Sequence, residues 1–275
     1  MTVILDANIE RAKRLAQQPV RPLPNVITSF NEEGFRRYGE SFIETWLEYW
    51  SPAVRLTVYY EGDDFPFTSG ISWKPIEEVE FLTDYMANLR FPIQHGIVGD
   101  RYDINFDARM GRKAFMEMHA MRTYGGKVFW IDADCVTTKH VPETFLDECL
   151  PDDKLCCYLG RHEPEPAWYH TESGFIGFNG NHPLARKFAK SYLHTFIVGT
   201  IFTQPGWHDC WGFDAIRTVM TQNGDGDGFV NLSKNVPHGH MHPFQISAPG
   251  RYMNHYKGNR KDTKQLRPGD LIAES

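Results

Sequence analysis

A chain of 275 residues, 41% of them hydrophobic and 14% aromatic, has room for one large α/β domain or two small ones with a sizeable buried core. No apolar run is long enough to span a bilayer, and the N-terminus carries Asp6, Glu10, Arg11, Lys13 and Arg14 where a signal peptide would be apolar. A net charge of −6 argues against attraction of the whole protein to nucleic acid or anionic membrane. The 5 cysteines, with no Cys-x-x-Cys pair, fit free thiols in a reducing cytoplasm and not a disulfide framework or a zinc site.

Residues 1–23 read as a polar, helical leader, broken by the proline-rich run at 19–24. Asn25 to Asn31 then reads as a strand ending in small polar groups. Residues 34–50 follow with Phe35, Tyr38, Phe42, Ile43, Trp46, Leu47 and Trp50 at helical spacing, one greasy face that Ser51-Pro52 terminates. Residues 54–60 alternate as a second strand closing on Glu61-Gly62-Asp63-Asp64. Strand, helix and strand with short connections imply parallel strands and a right-handed crossover. Residues 77–89 suggest a short helix or a strand plus turn, and 91–107 an irregular loop. Residues 108–124 form a strong helix with a Met110, Ala114, Phe115, Met118 and Met121 stripe and with Arg109, Arg112 and Lys113 near its start; Gly125-Gly126 ends it.

Next comes Val128-Phe129-Trp130-Ile131-Asp132-Ala133-Asp134, an apolar strand that stops in two carboxylates. In an extended segment, side chains at i and i+2 share a face, so the two acids can converge on one ligand. Like charges held together call for a cation between them, which points to a divalent metal and to phosphate chemistry. A helix over 142–150, a strand over 155–159 and a glycine-punctuated strand Glu172-Ser173-Gly174-Phe175-Ile176-Gly177-Phe178-Asn179 follow; close backbone approach is expected at those glycines. A helix opens at His182-Pro183 and runs to about 196. Trp207-His208-Asp209-Cys210-Trp211-Gly212-Phe213-Asp214 precedes another over 215–221. The remainder reads as loops, with His238, His240 and His242 between prolines and a basic C-terminal segment.

This ordered set resembles the nucleotide-sugar-dependent glycosyltransferases of the GT-A fold, loosely the glycogenin-like ones. Asp132-Ala133-Asp134 is similar to their Asp-x-Asp metal motif, and the 172–179 segment to the stretch that faces the acceptor. His255-Tyr256-Lys257-Gly258 is similar to the C-terminal element that closes over metal and diphosphate, although the spacing around Lys257 departs from the glycogenin-like pattern. The resemblance implies an α/β fold of one domain over 24–261, with a mixed, mostly parallel sheet flanked by helices. It divides that domain into a nucleotide-binding half (24–136), an acceptor-side half (137–250) and a strap (251–261), with a tail at 262–275. It implies transfer of a hexosyl group from a UDP- or GDP-sugar, UDP favoured and retention slightly favoured, to an acceptor that is left open, a nucleic acid included.

For the site, the resemblance implies metal ligation by Asp132, Asp134 and His255, with His238, His240 or His242 as rival third ligands. An imidazole ligand tilts the choice toward Mn²⁺ over Mg²⁺. Thr28, Ser29, Phe30, Asn31, Glu61, Lys113, Asp132, Lys257, Gly258 and Arg260 are assigned to the donor. Asp209, Asp214 and Glu172 are candidate catalytic carboxylates, and Trp207 and Trp211 either stack on a sugar or belong to the core. Two rivals remain. An apolar strand ending in Asp-x-Asp also heads haloacid dehalogenase-like phosphatases, with Asp132 as nucleophile and Gly224-Asp225-Gly226-Asp227-Gly228 as an echo of their distal metal loop. Asp225 and Asp227 could instead serve a calcium- or carbohydrate-binding module.

Overall fold

The computed structural model describes residues 23–63, 65, 67–88, 104–161, 171–204, 206–233, 242–258 and 261. The expected leader, most of the expected 91–107 loop and the tail lie outside them. Strands β1 (Asn25–Asn31), β2 (Arg55–Glu61), β3 (Ser72–Pro75), β4 (Lys127–Ile131), β6 (Cys156–Leu159), β7 (Glu172–Asn179) and β8 (Phe229–Asn231) form one sheet in the order β3-β2-β1-β4-β7-β6-β8. Among the described strands of this sheet, β7 alone runs antiparallel to its neighbours. A second, two-stranded sheet pairs β5 (Cys135–Thr137) with β9 (Met253–His255). The protein is thus an α/β fold with a mixed, mostly parallel sheet.

Why the central strands are continuous apolar runs follows from their cover on both faces. Ile27, Val128, Trp130, Ile176 and Phe178 point into one core with helices α2 (Ile104–Tyr124), α3 (Ala185–Ile197) and α4 (Asp209–Met220). Val26, Leu56, Val58, Phe129, Ile131 and Phe175 point into the other, with α1 (Glu40–Tyr49). Fully burying such a side chain contributes about 1.5–3 kcal/mol, against roughly 0–1 kcal/mol for a surface ion pair. Apolar packing therefore makes the platform rigid, and polar groups are left to gather at its edge.

Two details tie α1 to the small sheet. The Trp46 and Trp50 rings stack with centroids 4.2 Å apart. Trp50 Nε1 donates to Thr137 Oγ1 at 3.0 Å, and the Thr137 amide donates to Thr45 Oγ1 at 3.2 Å. β5 is thereby fixed immediately after the paired acids.

Three expectations need correction. The helix expected over 34–50 begins as a short α-turn, Glu32–Gly34, capped by the Asn31 side chain, and passes through a π-helical turn, Phe35–Gly39. α2 starts at Ile104, inside the expected loop. α4 starts at Asp209, so the Trp-His-Asp stretch is the head of that helix and not a lead-in to it. Among the described residues no helix is long and apolar enough to cross a membrane.

Cys135, Cys149, Cys156, Cys157 and Cys210 are all free and buried. Burial pushes each thiol up, Cys149 to about 12, so none offers a thiolate near neutrality. Ellman's reagent should therefore release almost no thiolate from the native protein over minutes and the full complement in denaturant. Rapid reaction of even one thiol in the native state would contradict this packing.

Candidate active site

β4 carries Trp130 and Asp132 on one face, and the indole Nε1 donates to Asp132 Oδ1 at 2.6 Å. The strand ends at Ile131, and the Cys135 amide donates to the Asp132 carbonyl at 3.0 Å, closing a tight turn. The acids therefore converge because the chain turns between them, not because they alternate along an extended strand. Lys113 of α2 reaches across, with Nζ 3.2 Å from Asp132 Oδ1, 3.4 Å from Asp209 Oδ2 and 4.8 Å above the Trp130 ring. It also donates to the Ser173 carbonyl. Burial opposes its charge, but Asp132 and then Asp209 outweigh that and hold it protonated. The donor-phosphate role expected for Lys113 gives way here, since its buried ammonium is already shared among protein acceptors.

His255 arrives from far downstream because β9 pairs with β5, setting His255 opposite Cys135, and because the Tyr256 amide donates to the Asp134 carbonyl at 3.1 Å. Its ring is 1% exposed. Nε2 lies 3.1 Å from Asp134 Oδ1 and 3.5 Å from Asp132 Oδ2, while Nδ1 lies 3.8 Å from Glu172 Oε1. Both ring nitrogens are buried without a well-aligned hydrogen bond, close as the Asp132 and Asp134 carboxylates lie to Nε2. Gly174 makes the approach possible: a Cβ there would sit 2.5 Å from His255 Cε1. Burial opposes charge on the ring, yet Asp134 and Asp132 lift its pKa to about 9.

A buried nitrogen with no donor or acceptor in line, facing two carboxylates, is a costly arrangement on its own. Asp134 and His255 fall within one possible donor cluster whose third member is the Cys135 sulfur and not Asp132, while Asp132 Oδ2 lies 3.5 Å from the same ring nitrogen; oxygen and imidazole donors of this kind suit a divalent first-row cation. Burial, with Asp134 next in effect, raises the Cys135 thiol well above its ordinary value, and a bound metal would itself deprotonate a coordinating thiol.

Glu172, 2% exposed, closes the other side of His255. It accepts from Lys257 Nζ at 2.6 and 2.8 Å, from Arg161 Nη2 at 3.1 Å and from the Gly174 amide at 3.0 Å; His242 Nε2 is 3.0 Å away. Burial opposes its ionisation, but Lys257, then His242 and His255, hold it well below the usual carboxylate range. Glu172, His242 and His255 make a second possible donor cluster, yet Glu172 is already saturated with donors. His242 therefore serves Glu172 and not the Asp132–Asp134 side; His238 and His240 lie outside the described residues. Lys257, expected on the diphosphate, is held by Glu172 instead. Gly258 has φ +59° and starts the turn that returns the chain to Lys261. Lys261, part of the basic C-terminal segment but given no partner from the sequence, lies 2.9 Å from Asp134 Oδ2. Arg260 lies outside the described residues.

At the carboxyl ends of β1 and β2 a cavity of about 70 Å³ is lined by Ser29, Phe30, Asn31, Glu61 and Arg112, among others. Arg112, not assigned to the donor beforehand, pairs with Glu61 at 2.6 Å. Thr28 is fully buried and does not line this cavity: it shares a strand face with Phe30 but lies two residues deeper in the sheet. Asp214 is also corrected: its oxygens accept from the Thr171 amide and hydroxyl at 2.7 Å and from Arg217 at 2.9 and 3.1 Å, so it anchors the start of β7. A base needs a lone pair open to its substrate. Asp209, 2% exposed in the first turn of α4, is the ion-pair partner of Lys113. Trp207 and Trp211 pack against the core. Asp225 pairs with Lys187, and both Asp225 and Asp227 precede β8, a strand parallel to β4. They therefore sit at the sheet edge opposite Asp132, which removes the distal metal loop that the phosphatase reading needs.

No protein-family profile and no curated protein matches the chain. Among solved structures it is similar to mouse xyloside xylosyltransferase 1, at 12% identity and a TM-score of 0.47, over 76% of this chain and 84% of that one. It is also similar to the bifunctional glycosyltransferase WbbM, at 14% identity and a TM-score of 0.47, over 78% of this chain and 40% of that one. Both likenesses are distant, and the site's chemistry is read from its own side chains.

Glu117, one turn beyond Lys113, is 1% exposed and neither of its oxygens has a hydrogen bond. Burial, with Asp209 and Asp132 adding to it against the pull of Lys113, raises its pKa well above the ordinary 4.5. The native state therefore holds a proton that the unfolded chain releases, so this residue favours folding least at high pH. Its cost grows by up to about 1.4 kcal/mol per pH unit above the unfolded value. Glu117→Gln should leave stability near pH 4 little changed and raise it increasingly toward pH 8 in denaturant titrations. An equal loss of stability at both pH values would show that the carboxyl is paired.

Proposed function

We propose that the protein is a metal-dependent glycosyltransferase of the GT-A type that moves a hexosyl group from a nucleoside diphosphate sugar, UDP-linked in preference to GDP-linked. The observation that carries this reading is His255 Nε2, buried without a hydrogen bond and facing both Asp132 and Asp134 at the carboxyl edge of a mostly parallel sheet. Ligands of such sheets bind beyond the carboxyl ends of the strands, where the strand order reverses. Here that point lies between β1 and β4, with the Ser29–Phe30–Asn31–Glu61–Arg112 cavity on one side and the acids on the other.

Asp134, His255 and Asp132 would hold Mn²⁺, or Mg²⁺ less readily. When bound, the ion supplies Lewis-acid neutralisation of the negative charge that a departing nucleoside diphosphate develops. The chain's own residues do the rest. Lys113 and Trp130 fix the Asp132 carboxylate in orientation, so little reorganisation is needed when charge develops. The nucleoside would lie beside Ser29, Asn31 and Glu61, with Phe30 as an apolar wall, in a space wider than the cavity of about 70 Å³ between them. Glu172, ionised but enclosed by Lys257, Arg161 and His242, orients the strap over the site and does not act as a proton acceptor. Asp214 and Asp209, like Glu172, are engaged by protein donors. Retention, in which no enzyme base is required, is the outcome we favour, and the acceptor class is left open. On this reading the nucleotide half is 24–136, the acceptor half 137–250 and the strap 251–261.

With Mn²⁺ present, the wild-type protein should hydrolyse at least one UDP-sugar slowly in the absence of acceptor. Asp134→Ala should lower that turnover by at least about 100-fold, a loss of roughly 2.7 kcal/mol of transition-state stabilisation, with unchanged circular dichroism. A panel of UDP- and GDP-sugars that shows no metal-dependent binding by calorimetry would sink the proposal.

A further inference from the structure

Each of the three carboxylates around His255 has an ammonium group of its own. Lys113 serves Asp132 at 3.2 Å, Lys257 serves Glu172 at 2.6 Å and Lys261 serves Asp134 at 2.9 Å. The three are not alike. Lys113 is 7% exposed and also bound to Asp209, the Ser173 carbonyl and the Trp130 ring, so it cannot leave. Lys257 holds Glu172, on the far side of the imidazole from the acid pair. Lys261 is 26% exposed. It is carried on a turn closed by its own amide to the Gly258 carbonyl at 3.2 Å, and it rests 4.8 Å above the Tyr38 ring. Gly258, at φ +59°, has no neighbour within 4 Å of a would-be Cβ, so the glycine is there for its backbone conformation and not for space.

We propose that Lys261 is a tethered cation that neutralises Asp134 and competes with the divalent ion for it. The proposal rests on the metal reading above and adds a residue that this reading does not require. Asp134 is 8% exposed, and one of its oxygens faces His255 while the other holds Lys261. A cation that takes Asp134 must separate this pair. Any anion that draws the ammonium away, such as the diphosphate of the proposed donor, removes the competitor. Metal and nucleotide are then bound more tightly together than apart, by the reciprocity that any such coupling obeys.

Calorimetric titration of the full-length protein with MnCl₂ alone, and again with UDP present, tests this. Lys261→Met keeps the aliphatic stem over Tyr38 and removes the charge. It should bind Mn²⁺ alone about two- to fivefold more tightly than wild type, the size expected for a partly exposed ion pair. The tightening produced by UDP should shrink in the same variant. Lys261→Arg should behave as wild type, and Lys261→Gln should repeat the Met result if Met disturbs the fold. Mn²⁺ binding that Lys261→Met and Lys261→Gln leave unchanged or weaken overturns the proposal while the metal reading stands. Absence of Mn²⁺ binding to every variant, with and without UDP, overturns both.

Discussion

His255 is buried between carboxylates on both sides, and most of the polar architecture follows from accommodating it. Removing an ion from water costs several kcal/mol unless a partner compensates. Three acids and an imidazole gathered in one place therefore need opposite charge. Lys113, Lys257, Arg161 and Lys261 supply it from three separate stretches of the chain. The β5–β9 pairing sets the depth of the imidazole, and Gly174 leaves the room it occupies. A divalent ion beside Asp134 and His255 would engage the ring nitrogen that has no well-aligned hydrogen bond.

This polar cluster depends on an apolar base. β1 and β4 lie side by side, parallel and covered on both faces, so Asn31 and Asp132 end at the same edge of the sheet. α1, pinned through Trp50 to Thr137, prevents the small sheet from drifting away from that edge. Sheet and strap divide the labour: the sheet fixes the acids, and Lys261, partly exposed, brings a cation to Asp134 from the strap.

Much of this could be read in the sequence. β1 and β7 match their expected bounds residue for residue, because apolar residues buried on both faces give a continuous signal. The Met and Phe stripe of α2 is buried as its spacing requires. Short strands were the losses. β3, β5, β8 and β9 have three or four residues each, too few for alternation to register, and β3 carries Lys74 and ends in Pro75 as an edge strand can. Missing β5 and β9 hid the reason that His255 meets Asp134. Lys261 stood in the basic C-terminal segment with no partner assigned, because charge pattern along the chain does not show that its ammonium lies 2.9 Å from Asp134. Lys113, Lys257 and Asp214 were found as charged groups near the site but given the wrong partners, since spacing along the chain does not say which opposite charge lies closest in space.

The central claim is that Asp132, Asp134 and His255 share one divalent cation. Crystals grown with MnCl₂ and UDP, measured at an X-ray wavelength where manganese scatters anomalously, test it directly. The account predicts a single strong anomalous peak within coordination distance of His255 Nε2 and an Asp134 oxygen, with the diphosphate beside it and Lys261 moved off Asp134. A peak on the Glu172–His242 side, or nucleotide bound with no peak at the acid pair, would contradict it.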